Sequence, residues 1–215
     1  MEVLTQIADL FVHLDVHLGA IIEQYGVLTY GLLFLVIFCE TGLVVTPFLP
    51  GDSLLFAAGT FAATGVLYGP LLFVLLAVAA MLGDTVNYWC GARIGPRVFS
   101  EHIRFFKREH LLRTQEFYER HGGKTIILAR FIPIIRTFAP FVAGVSSMRY
   151  GRFLIYNVVG AVLWVALFVF GGALFGDLPV VREHFSLVIL AIIVCSFLPP
   201  LWEWERGSSR IRARR

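Results

Sequence analysis

Apolar residues run along this chain in long blocks, and the places where polar groups interrupt them carry the information. In residues 2–24 the interruption has helical period: Glu2, Gln6, Asp9, His13 and His17 fall near one face, and Leu4, Ile7, Phe11, Leu14 and Leu18 near the other. That pattern predicts an amphipathic helix lying in the membrane interface more than one that spans it. From 27 to 63 an apolar block is broken at its centre by Pro47, Pro50 and Gly51, so neither arm reaches the about 20 residues a full span needs. A turn at 64–70 follows, and 71–90 is long enough to cross. Residues 93–124 form the one extended polar region, expected as a solvated helical loop against the membrane surface.

The second half repeats the scheme. Residues 125–147 form another short apolar arm, a centre broken at Pro133 and Pro140, and a second short arm. Two spanning segments, 153–175 and 187–202, and a basic tail at 206–215 complete the chain. A broken helix at membrane depth is tolerated where the freed backbone is buried in protein or lines a wet cavity. Both broken blocks therefore read as re-entrant hairpins. Two of them, one entering from each face, are the mark of an inverted-topology repeat with a transport site at the midplane. The expected fold class is an all-α membrane protein, a single domain built as an inverted-repeat bundle of two re-entrant hairpins plus spanning helices.

Composition agrees with this reading. The 215 residues are 58% hydrophobic with a mean hydropathy of +0.78, against roughly 45–50% apolar residues in soluble domains. The net charge of +3 hides a division: up to Ala92 there are seven acids and no Lys or Arg, and all eighteen basic residues lie from Arg93 onward. By the positive-inside rule, the 93–124 loop and the tail face the cytoplasm, the 176–184 turn faces outward, and the first hairpin enters from outside. The acidic start, with no small-residue cleavage site, argues against a cleaved secretory signal. Cys39, Cys90 and Cys195 stand at unrelated spacings and read as small hydrophobes, with no metal or disulfide role. His13 and His17, four apart, lack a third ligand and read as a wetted face. No nucleic-acid motif accompanies the basic excess.

The chemistry sits in the hairpins. Glu40 and Asp52 lie within the first, Arg130 and Arg136 within the second, all among residues suited to lipid or a packed interior. Ionised groups there are costly and mark functional pathways. Arginine grips phosphate oxygens with a planar fork, which makes Arg130 and Arg136 the candidate substrate-binding pair for a lipid phosphate. Glu40 and Asp52, costly to keep ionised, are the candidate proton-coupling pair: a phosphate arriving at the arginines would compete with them and favour their protonation. Asp84 shares a helical face with Asn87 and Tyr88, and its claims to function and to packing are equal. Asn157 is a further candidate, although it and Trp164 read first as packing and interhelical hydrogen bonds. Gly91-Ala-Arg-Ile-Gly95 matches a helix-dimer motif weakly, so a homo-oligomer stays open.

Several motifs together resemble the DedA family of bacterial inner-membrane proteins. They are Glu40 with Thr46-Pro-Phe-Leu-Pro-Gly-Asp52, Gly83-Asp-x-x-x-Tyr88, Phe117-Tyr-x-x-His-Gly-Gly-Lys-Thr125, the Ala129–Gly144 stretch, Tyr156-Asn157 and Leu163-Trp164. The resemblance covers nearly the whole chain. It implies a multi-pass inner-membrane lipid transporter dependent on the proton motive force, with lipid and protons as partners, undecaprenyl phosphate as a cargo of some members, and no cofactor. It also places that family's important acidic and basic residues on Glu40, Asp52, Arg130 and Arg136.

Three other readings compete. A proton-coupled small-ion antiporter would use Glu40 and Asp52 to carry cation and proton in turn. A lipid phosphatase would need clustered histidines, and none lies between Gln24 and His102, so an enzyme is not expected. A purely structural role predicts that Glu40→Asp is harmless.

Overall fold

The computed structural model describes residues 14–43, 51–98, 123–146, 148–176 and 178–192. The elements are α1 (Leu14–Tyr25), α2 (Leu28–Gly42), α3 (Gly51–Ala63), α4 (Gly69–Val98), α5 (Lys124–Ala129), α6 (Pro133–Val145), α7 (Tyr150–Phe175), α8 (Pro179–Glu183) and α9 (185–192). Gly69–Ile94 within α4 and the whole of α7 are each 26 residues of high hydropathy. At 1.5 Å per residue such a helix measures about 39 Å, enough to cross a hydrocarbon core of about 30 Å. The chain is an all-α, multi-spanning membrane bundle. Its outer surface is apolar: Val74, Val78, Leu82, Val86 and Trp89 form an exposed stripe on α4, as do Ile155, Leu163, Leu167, Phe170 and Leu174 on α7. Lipid serves as the solvent for these faces.

The buried faces run opposite. On α2 the buried positions are Thr29, Leu33, Ile37, Glu40 and Thr41, at helical spacing. On α7 they are Phe153, Asn157, Gly160, Ala161, Trp164, Val165, Val169 and Gly172. The short helices α3 and α6 pack chiefly on the long ones, α3 on α7 and α6 on α4, while α2 packs on α4 and α5 on α7.

Glycines set these contacts. A Cβ at Gly59 would lie 2.2 Å from the Val169 carbonyl oxygen, and one at Gly172 would lie 1.9 Å from that of Phe56. Between α6 and α4 the same arrangement recurs: a Cβ at Gly144 would come within 2.0 Å of the Tyr88 oxygen, and one at Gly91 within 2.0 Å of the Phe141 oxygen. Gly91 thus packs inside the chain against α6, which removes the helix-dimer reading of the 91–95 motif.

The second broken block divides where proline chemistry requires it. Pro133 opens α6, and Ile132 before it is extended (φ −121°, ψ 106°), because a proline ring disfavours helical geometry in its predecessor. Pro140 lies inside α6, and its missing N–H leaves the Arg136 carbonyl without the usual helical donor. In the first block α2 ends at Gly42, with Leu43 extended (φ −100°, ψ 113°), and α3 starts at Gly51. Gly65, at φ 79°, makes the tight turn into α4.

One boundary differs from the sequence reading. Helix α4 runs to Val98, so the first residues assigned to the polar loop at 93 are helical. The packing of Gly91 on α6 carries the helix past the end of the apolar run. Of the N-terminal amphipathic helix, Leu14–Tyr25 is helical, with Leu18 and Ile22 buried and Val16 exposed. Residues 2–13, 99–122 and 193–215 lie outside the described residues, and with them most of the polar loop, the end of the last spanning segment and the tail.

Candidate functional site

The centre of the bundle holds two ion-pair tiers. In the first, Arg136 of α6 bridges both acids of the first hairpin: Nη2 donates to Glu40 Oε1 at 2.9 Å and Nη1 to Asp52 Oδ1 at 2.8 Å. Glu40 comes from the last turn of α2 and Asp52 from the first turn of α3, so one guanidinium closes the gap between the two arms. The Glu40 carboxylate also presses on the backbone of Gly51, where a Cβ would overlap it. Asp52 receives a second charge-assisted bond, 2.8 Å from Trp164 Nε1 on α7.

In the second tier, Arg130 forms a salt bridge with Asp84 of α4 and donates through Nη2 to Asn157 Oδ1 at 2.9 Å. Asn157 in turn donates to the Met81 carbonyl at 3.0 Å, which fixes its amide with the oxygen toward Arg130. Asn87 bridges the carbonyls of Thr137 (2.8 Å) and Thr41 (3.4 Å), the latter among the carbonyls left open at the end of α2. Trp164 joins the tiers. Its ring lies 4.9 Å from the Arg136 guanidinium carbon and 5.8 Å from that of Arg130, within cation–π range of both.

Thus all four hairpin charges, Glu40, Asp52, Arg130 and Arg136, meet in one buried constellation, but not as a single cluster. Arg136 takes both hairpin acids, and Arg130 takes Asp84. Asp84 therefore pairs with an arginine in place of sharing bonds with Asn87 and Tyr88. The Tyr88 hydroxyl instead donates to the Met148 carbonyl, inside an aromatic cluster with Phe153, Tyr150 and Trp89. Trp164, read from sequence as packing or an interhelical hydrogen bond, makes such a bond, from α7 to Asp52 of α3. An aromatic in an apolar helix offers no contrast with its neighbours; its place seven residues after Asn157, on the same buried face, was the available signal.

The guanidiniums are not saturated. Arg130 Nη1 and Arg136 Nε are buried with no hydrogen-bond partner among the described residues, as is Asp84 Oδ1. Partners for buried polar groups are the rule, so open donors on two buried arginines suit an anion that supplies the missing acceptors. Among the described residues no group of three His, Cys, Asp or Glu side chains is placed to hold a metal.

Comparison with known proteins decides the family. Residues 43–174, more than half of the chain, match the VTT domain. The chain is 52% identical to the protein DedA of Escherichia coli K12 over 206 residues, covering 94% of both. It is also 46% identical to an uncharacterized membrane protein of Mycobacterium tuberculosis, over 79% of this chain and 75% of the relative. The chain belongs to the DedA family of VTT-domain membrane proteins. The inner membrane protein YqjA of Escherichia coli K12 is a more distant DedA-family relative, 32% identical over 97% of this chain and 99% of its own. No solved structure matches the chain. As a DedA-family member the chain is a multi-pass protein of the bacterial inner membrane, in a family of membrane transporters. The VTT match contains Asp52, Asp84, Arg130, Arg136, Asn157 and Trp164, and Glu40 lies three residues before it.

Proposed function

We propose that this protein moves a phosphate-bearing lipid, undecaprenyl phosphate in the first instance, between membrane leaflets with proton coupling. The observation that carries the proposal is the pair of buried arginines with open donors. Arg136 holds two carboxylates and keeps Nε free; Arg130 holds one and keeps Nη1 free. A phosphate entering between them supplies oxygens to the open donors and competes with Glu40 and Asp52 for the rest of Arg136. A carboxylate that loses its arginine in a low-dielectric interior takes up a proton, and expulsion of the phosphate returns it. One lipid phosphate is thereby exchanged against protonation of the acids.

The architecture proposed for this cycle is an inverted repeat, with α2–α4 as one unit and α5–α7 as the other. Support comes from the two glycine seams. Phe56 and Gly59 meet Val169 and Gly172 in the way that Phe141 and Gly144 meet Tyr88 and Gly91, each short arm lying on the long helix of the other unit. A site between such units is positioned for alternating exposure by rocking of one against the other.

The test is leaflet exchange of labelled undecaprenyl phosphate in proteoliposomes, with and without a pH gradient. The unmodified protein is expected to move the lipid faster under a gradient. Arg136→Lys, which keeps the charge and loses the fork, should slow movement at least about tenfold, the effect of about 1.4 kcal/mol of lost phosphate binding. Glu40→Gln should retain movement and lose its response to the gradient. Absence of movement above empty vesicles would overturn the proposal, and ion-driven proton flux in vesicles lacking polyprenyl lipid would replace it with antiport. Full activity of Glu40→Asp together with Arg136→Lys would assign the cluster to structure alone.

A further inference from the structure

A cavity of about 390 Å³ opens on the side of the bundle between α7 and α9 and ends at the first ion-pair tier. Its walls are Phe131, Phe168, Val188, Ala191 and Ile192, and its inner end is formed by Asp52 and Trp164. The volume falls within the roughly 300–1,000 Å³ of small-molecule sites. Two further observations mark it as a route and not a packing fault. The Asp52 side chain keeps 13% exposure where Glu40, on the same guanidinium, keeps 1%, so the charged centre opens on this side. The rim continues into the lipid-facing surface through Leu167, Leu187 and Leu190, all exposed.

We propose that this cavity is a lateral slot for the hydrocarbon chain of the transported lipid, with Trp164 as the wall where the apolar slot meets the arginines. The inference rests on the proposed phosphate-lipid reading and adds the path of the tail. The occupant follows from the chemistry at the two ends. The outer end is apolar and faces the bilayer, where the available molecules are lipid chains. The inner end is the Asp52 carboxylate, which Arg136 holds from behind through Nη1, so an anionic headgroup that displaces Asp52, as in the proposed cycle, meets that guanidinium. An amphiphile whose anionic head exchanges with Asp52 satisfies both ends. Trp164 suits the junction, with an apolar ring against the slot and an N–H toward Asp52.

The experiment is photolabelling in nanodiscs with two probes that carry the same diazirine-bearing polyprenyl chain, one ending in monophosphate and one in a neutral hydroxyl, with adducts mapped by mass spectrometry. For the phosphate probe, labelling at Phe168 and 188–192 is expected to exceed that of the lipid-facing Val78 and Leu82 at least about fivefold, equivalent to about 1 kcal/mol of preference. The excess should fall with unlabelled undecaprenyl phosphate and in Ala191→Phe, which fills the mouth, and persist in Leu174→Phe on the lipid-facing surface away from the slot. Equal slot labelling by both probes would uphold the slot while overturning phosphate selection. Labelling no denser in the slot than on the annular surface, or unaffected by Ala191→Phe, would overturn the slot and leave the leaflet-exchange result to judge the transport reading separately.

Discussion

At the scale of single residues, the most informative side chain is Trp164, because it serves both tiers at once. Its N–H bond to Asp52 is charge-assisted and partly buried, a class contributing about 1.5–3 kcal/mol. Trp164→Phe keeps an aromatic face beside both guanidiniums and deletes the donor together with part of the buried ring, so thermal unfolding in detergent should show a loss of at least that size. Asp52→Asn should then cost less in the Trp164→Phe background than alone. Effects that add within about 0.5 kcal/mol in the double-mutant cycle would show that the bond contributes nothing. The hairpin charges were legible from sequence because each stands alone in an apolar run, where an ionised group demands a partner. Which acid meets which arginine was not legible. Asp84 reaches Arg130, the residue after α5, because α5 packs on α6 and α7 and both of these pack on α4, and that arrangement is a tertiary property.

Helices pack here by glycine, and the contrast between two kinds of glycine tests this directly. Gly172 and Gly91 lie on carbonyl oxygens of the facing helix, where a Cβ would come to 1.9 and 2.0 Å. Gly31 and Gly151 have no atom within 4 Å of the same position. Gly172→Ala and Gly91→Ala should each destabilise by about 1–3 kcal/mol or more, as overpacking forces helices apart. Gly31→Ala and Gly151→Ala should be neutral or gain up to about 1 kcal/mol from helix propensity. Thermal unfolding in detergent checks the set, and equal behaviour of the two classes would mean that the seams are loose. The division at Pro133 was legible at this scale because proline rules act locally, but the break also read at Pro140 is not there: α6 runs through it to Val145, with its packing on α4 holding the helix. The extension of α4 to Val98 was not, because Arg93 begins the polar region and the tertiary contact of Gly91 outweighs that local signal.

For the whole molecule, we propose an orientation of the bundle from its charge distribution. Every Lys and Arg lies from Arg93 onward, so the turn at 64–68 carries none while Arg149 and Arg152 flank the start of α7. Placing basic flanks in the cytoplasm puts the 64–68 turn outside, sends α4 inward, starts α7 inside and ends it outside near Leu178. The two long helices then run antiparallel, and under the proposed inverted-repeat architecture the two hairpins enter from opposite faces, as the proposed exchange between leaflets requires. Val66, Arg149 and Leu178 are all exposed and suit labelling after replacement of the native cysteines by serine. A membrane-impermeant thiol reagent should label Val66→Cys and Leu178→Cys in intact spheroplasts, and Arg149→Cys only after the membrane is opened. Labelling of Val66→Cys and Arg149→Cys from the same side would break the opposed arrangement. The phosphate would then approach Arg136 from one leaflet only, a geometry that supports binding without exchange.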